Sequence, residues 1–128
     1  MPLGAGNEVG RSCILLKFKG KTVLFDVGIH PAKNGQLALP WFDVTDIGKI
    51  DILLVTHFHL DHAGALPYLL TKTHFKGITY MTTPTKAITE LLLSDYVKVS
   101  NIGTDSAKIY SPHELRKAMD KVKIVQYN

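Results

Sequence analysis

The chain has 128 residues, 45% of them hydrophobic and 20% charged, which is enough for one packed domain and too little for two. Fifteen Lys+Arg against 11 Asp+Glu give a net charge of +4, a mild basic bias that permits a polyanionic partner without identifying one. The single cysteine, Cys13, excludes an intramolecular disulfide, and no apolar run approaches the ~20 residues of a membrane span.

The opening "MPLGAGNEVGRS" is glycine-rich without being a nucleotide loop. Gly4 precedes Gly10 by six residues, Gly6 precedes it by four, and Arg11 follows where a Walker loop needs lysine. Read as G-x-G-x-x-G from Gly4, the third glycine position is Val9, so dinucleotide binding fails too. Backbone turns are the expected use of these glycines. With no basic leader and no disulfide, a soluble intracellular chain is the expectation.

Ser12 to Phe18 and Thr22 to Asp26 are β-rich runs separated by "KGK", which predicts a hairpin with Gly20 in the turn. Cys13, inside the first run, reads as a buried, inert thiol. Residues 28–47 mix Gly, Pro, Asn and Asp with isolated apolar residues and show neither helical nor strand period, so an ordered loop is expected. "IDILLVT" then has the unbroken apolar character of a strand buried on both faces. Leu66, Leu69 and Leu70, with Pro67 in a first turn, predict a short helix to about Lys72, and "ITYMT" predicts a strand. Thr83 and Pro84 read as a cap and first-turn proline. The helix they open should pack on the core through Ile88, Leu91, Leu92, Tyr96 and Val99. Ser111, Pro112 and Glu114 spell a capping box, Leu115, Met119 and Val122 continue its apolar side, and "VKIVQY" closes the series as a strand. The order of elements is that of a layered α/β domain.

The chemistry concentrates at the end of the "IDILLVT" strand, in "HFHLDH". His57 and His59 are spaced i, i+2, so on an extended segment both rings point the same way, whereas a helix would part them by about 200°. They suit one metal ion. Asp61 and His62 follow a bend and can turn toward a second point, as two-metal hydrolytic sites require. The plainer reading, a pH-sensitive surface patch, fits one isolated histidine better than H-x-H-x-D-H at the mouth of a buried strand, where open α/β sheets place their sites. Asp26, ending an earlier strand in "LFDVG", has two open uses: accepting the second N–H of a ligand histidine, or capping the turn at Gly28. His74 and His113 read as solvated or structural. His30 could line the site, but no spacing demands it.

"HFHLDH" with the aspartate of "FDVG" resembles the metallo-β-lactamase superfamily. "PLGAGNEVGRSC", "GIHP", "HFHLDHAGALPYLL" and "LLSDYVKVSN" look, more narrowly, like the β-CASP nucleases to which the endonuclease subunit of the cleavage and polyadenylation specificity factor belongs. The resemblance runs from Pro2 to about Asn101. It implies an αββα sandwich with a two-zinc site, of which residues 1–128 would be the N-terminal half, a partial metallo-β-lactamase domain without the β-CASP domain. By the same resemblance His57 and His59 bind the first zinc and Asp61 and His62 the second, with Asp61 in the catalytic machinery and Asp26 supporting the site from the strand end. Val27 and Ala63 stand where the family has cysteines and touch no expected ligand.

The implied activity is zinc-dependent endonucleolytic cleavage of pre-mRNA at its 3′ end, in the nucleus, alongside other subunits of the cleavage and polyadenylation complex and with no membrane role. The family's later metal histidine and bridging aspartate have no counterpart before Asn128. Weak or absent zinc in this chain, no cleavage by it alone, and self-association through an exposed sheet face are therefore expected. The alternatives are a related β-CASP nuclease such as the Integrator catalytic subunit, or a non-catalytic interaction module of an RNA-processing assembly.

Overall fold

Two antiparallel strands, β2 (Cys13–Phe18) and β3 (Lys21–Phe25), are joined by Lys19 and Gly20 alone. Both linking residues have positive φ, 49° and 79°, the backbone that a two-residue hairpin loop demands and that the glycine supplies without strain. The computed structural model describes residues 1–102 and 109–127. Its sheet has six strands in the order β1–β2–β3–β4–β5–β6. β1 (Pro2–Gly4) pairs antiparallel with β2, while β4 (Ile52–Leu54), β5 (Ile78–Thr82) and β6 (Val122–Val125) add in parallel beyond β3.

The parallel connections carry the helices α1 (Leu60–Ala63), α2 (Leu66–Lys72), α3 (Thr83–Ile102) and α4 (Pro112–Asp120). Pro67 lies in the first turn of α2. The capping box of α4 forms as expected: Ser111 Oγ accepts from the Glu114 N–H at 3.2 Å and Glu114 Oε1 from the Ser111 N–H at 2.9 Å. Residues 28–47 hold no long element; they are bent by single 3-10 turns at Gly35–Ala38 and Phe42–Val44, with another at Ile47–Lys49.

One face of the sheet is buried. Leu15, Leu24, Leu53, Thr79 and Val122 stand in register across five strands, all under the helices. The neighbouring row, Leu16, Val23, Ile52 and Ile78, points the other way, and Leu16 is 47% exposed. Ile78, at the other side of the row, is also exposed, and Val23 and Ile52 between them are half-buried, so among the described residues this face is the more open one.

Four expectations are corrected. β4 is buried on one face rather than both: Leu53 lies fully buried under the helices, while Ile52 and Leu54 on its other side are only half-buried. The opening glycines belong in part to β1, a strand made by pairing with β2 rather than by propensity. α3 begins at Thr83 itself, and its cap is the Thr82 hydroxyl, which accepts from the Thr85 N–H at 3.4 Å. The buried side of α3 is Thr89, Leu93 and Val97, with Tyr96 packed against the core, whereas Leu91 (70%) and Val99 (61%) are exposed and Ile88 partly so. The helix is apolar on two sides, and contact with α4 and the β5–β6 end of the sheet selects the Leu93 side.

Candidate metal centre

β3 and β4 run side by side with Phe25 opposite Leu54, so the residues that leave their C-terminal ends emerge together. Asp26 follows β3, and Val55, Thr56 and His57 follow β4. Asp26 is 5% exposed and has φ 64°, a left-handed backbone uncommon for a residue with a side chain. Its amide donates to the Leu54 carbonyl at 2.9 Å, which aims the carboxylate across to the neighbouring strand's exit.

There it collects three hydrogen bonds. Oδ1 accepts from the Thr56 N–H at 2.7 Å, and Oδ2 accepts from Thr56 Oγ1 and His62 Nδ1, each at 2.8 Å. The Gly28 N–H donates to the Ser12 carbonyl instead, so Asp26 does not cap that turn. Thr56 Oγ1 also lies 3.1 Å from His57 Nδ1.

His59 opens α1, and its carbonyl accepts from the amides of His62 and Ala63, each at 2.9 Å. That single turn of helix folds Asp61 and His62 back toward His57. One donor atom each from His57, His59 and Asp61 lie within 4.8 Å of one another. His62 adjoins this group: its ring centroid is 3.8 Å from that of His57, and its Nε2 is 3.5 Å from Asp61 Oδ2. Asp61 thus stands close to all three imidazoles. His59 is exposed, and His57, Asp61 and His62 are half-buried, so the cluster opens to solvent while Asp26 lies beneath it.

The backbone of α1 is fixed by the segments that the glycines allow to come close. The Ser12 amide donates to the Asp61 carbonyl at 2.8 Å, Val27 to His62 at 2.8 Å and Ile29 to Leu60 at 3.0 Å. Arg11, buried beside them, bonds the Leu37 carbonyl at 3.0 Å and pairs with Glu8, while its guanidinium lies 5.7 Å from the Trp41 ring centre. The hydrogen bond from Arg11 holds the Glu8 carboxyl below its usual range. Burial, with the nearby charge of Asp26, pushes the Cys13 thiol up, and the thiol is inert at neutral pH.

His30 turns to Glu8, with Nε2 3.6 Å from Oε2, and His74 and His113 are exposed outside the cluster. Thr56 and Ser12 escaped the sequence reading. Thr56 could have been found by asking which hydroxyl a neighbouring strand's aspartate would meet.

The donor set, imidazole nitrogens and a carboxylate converging at one open point, fits a borderline-soft divalent ion such as zinc. Residues 6–124 match the family model described as metallo-beta-lactamase superfamily. Over 98% of its length the chain is 56% identical to a protein named cleavage and polyadenylation specificity factor subunit 3 from Dictyostelium discoideum, covering 16% of that protein. It is 53% identical to subunit 3-I from Arabidopsis thaliana, over 99% of this chain and 18% of the relative, and 53% identical to endoribonuclease ysh1 of Schizosaccharomyces pombe, over 98% and 16%. The chain therefore spans about one sixth of the length of these relatives. A solved structure, the Rm3 metallo-beta-lactamase, superposes with a TM-score of 0.44 at 21% identity, over 62% of this chain and 29% of that one. With the family match covering nearly all of its residues, this chain belongs to the metallo-β-lactamase superfamily.

Proposed function

We propose that this chain supplies the first half of the metal cage of a zinc-dependent RNA endonuclease that cleaves pre-mRNA at its 3′ end before polyadenylation. The observation that carries the reading is the convergence of His57, His59 and Asp61 donor atoms within 4.8 Å at the strand exits, with His62 beside them. The relatives' names, specificity-factor subunits and an endoribonuclease, support RNA as substrate, other subunits of a cleavage and polyadenylation complex as partners, and the nucleus as location.

In this reading His57 and His59 serve one zinc and Asp61 and His62 a second, and sequence outside residues 1–128 completes both sets. Bound zinc lowers the pKa of the water that attacks and neutralises charge on the phosphate. The protein's own part is orientation. Asp26 accepts His62 Nδ1–H and leaves Nε2 free for an ion, α1 presents Asp61 toward the histidines, and the Ser12, Val27 and Ile29 amides hold α1 in place. Residues 1–128 alone, with half a cage, do not cut.

The test is cleavage of a labelled RNA oligonucleotide by a polypeptide in which the remaining family sequence follows this one. Zinc-dependent cutting that a chelator stops and Asp61→Ala abolishes is expected. Cutting that survives both treatments would end the proposal.

A further inference from the structure

Thr56 is the last residue before the histidines, and the parallel register of β3 and β4 brings it against Asp26. A threonine hydroxyl has one proton to give and two lone pairs to receive with. Both Asp26 oxygens are acceptors: Oδ1 takes the Thr56 amide at 2.7 Å, and Oδ2 takes the Thr56 hydroxyl at 2.8 Å. Once that proton points at Asp26, Oγ1 has only lone pairs left for His57 Nδ1, 3.1 Å away. The opposite arrangement would leave two oxygens 2.8 Å apart with no proton between them.

We propose that Thr56 is a positioning residue that sets the tautomer of His57: Nδ1 carries the proton, donates it to Thr56 Oγ1, and leaves the Nε2 lone pair free. Asp26 does the same for His62 directly, through the 2.8 Å bond to Nδ1. One buried carboxylate thereby fixes two rings, the first through a hydroxyl and the second by contact. The use of this device rests on the metal-binding reading above, but the tautomer itself exists without metal.

The experiment is long-range proton–nitrogen NMR of the imidazoles in the metal-free, nitrogen-15-labelled 128-residue chain, at a pH where they are neutral. Protonated Nδ1 is expected at both His57 and His62. Thr56→Val keeps the shape and the backbone bond to Asp26 but lacks the hydroxyl. It should move His57 toward the Nε2–H form while His62, the internal control for an intact fold, stays unchanged. Thr56→Ser should restore the parent pattern. In the extended polypeptide, zinc competition with a chromophoric chelator should show Thr56→Val weakened by about 10- to 100-fold, and Thr56→Ser close to the parent. Nε2–H at His57 in the parent, or a Thr56→Val spectrum identical to it, would overturn the proposal. A tautomer that follows Thr56, with an extended polypeptide that never takes up metal, would support the relay and defeat the metal reading.

Discussion

Gly28 passes so close beneath Asp61 that a methyl group on its α-carbon would stand 1.7 Å from the Asp61 carbonyl oxygen. The obstacle is backbone, so it cannot swing aside, and Gly28→Ala must displace either the segment after β3 or α1. A loss of about 1–3 kcal/mol is expected from such overpacking, together with a changed His62 Nδ1 resonance, because α1 carries His62 to Asp26. Urea unfolding and imidazole NMR read the two effects. An unchanged midpoint and spectrum would show that the close approach does not hold α1.

Metal uptake by residues 1–128 should be weak or nil, since each of two ions would have about two of the three or four protein ligands a stable zinc site uses. Calorimetry reporting two tightly held zincs in the monomeric chain would contradict this. In the extended polypeptide His113→Ala should leave cleavage nearly unchanged. His113 is exposed in the first turn of α4, outside the histidine cluster.

Tyr110, 3% exposed, donates its hydroxyl to the Gly64 carbonyl at 2.8 Å, tying the entrance of α4 to the residue that ends α1. Burial pushes its phenol well above the ordinary range, so it remains a donor at any moderate pH. Tyr110→Phe leaves that carbonyl without this partner and should cost about 1–3 kcal/mol. Thermal unfolding that does not move would mean the bond is replaced at no cost.

Glu114 gives an acid-side signature. Burial raises its carboxyl, but the Ser111 amide and hydroxyl and the Lys72 ammonium outweigh this and hold it below its ordinary 4.5. A depressed folded-state value stabilises the protein fully above 4.5, and the contribution is lost as the pH falls below that through the lowered value. Glu114→Gln should flatten the fall in stability over that acid range. It also removes half of the capping box, and Ser111→Ala should cost about 0.5–2 kcal/mol. Parallel stability-against-pH curves for the parent and Glu114→Gln would refute the assignment.

The open row of Leu16, Val23, Ile52 and Ile78 should make the isolated chain associate. Leu16→Lys places a charge in the row at a position already 47% exposed and should shift the population toward monomer without unfolding it. Light scattering that finds a monodisperse parent monomer with a sharp thermal transition would sink the idea.

Where local chemistry decided the outcome, the sequence was readable. The run Ile52 to Leu54 leading to the histidines, the proline start of α2 and the Ser111–Glu114 box depend on residues a few positions apart, and they stand where the patterns put them. Where distant partners decided, it was not. α3 carries apolar residues on two sides, and only contact with α4 and the sheet selects Leu93 and Val97 over Leu91 and Val99. β1 exists because β2 lies beside it. Asp26 had two plausible uses, and the register of β3 against β4 turns its carboxylate to Thr56 and His62. The neighbour of His57 in sequence, Thr56, gains meaning only through that same register.

The spatial order of the six strands is also their order along the chain. Each new strand therefore finds its partner already laid down, and no later segment has to be threaded between two earlier ones. During synthesis, which proceeds at about 5–20 residues per second, the sheet can grow from one edge as the polypeptide leaves the ribosome. Asp26 precedes the histidines in the chain, so the carboxylate that binds Thr56 and His62 in the finished fold is synthesised before either of them. All the residues of the cluster have been synthesised by His62, before α2, β5, α3, α4 and β6.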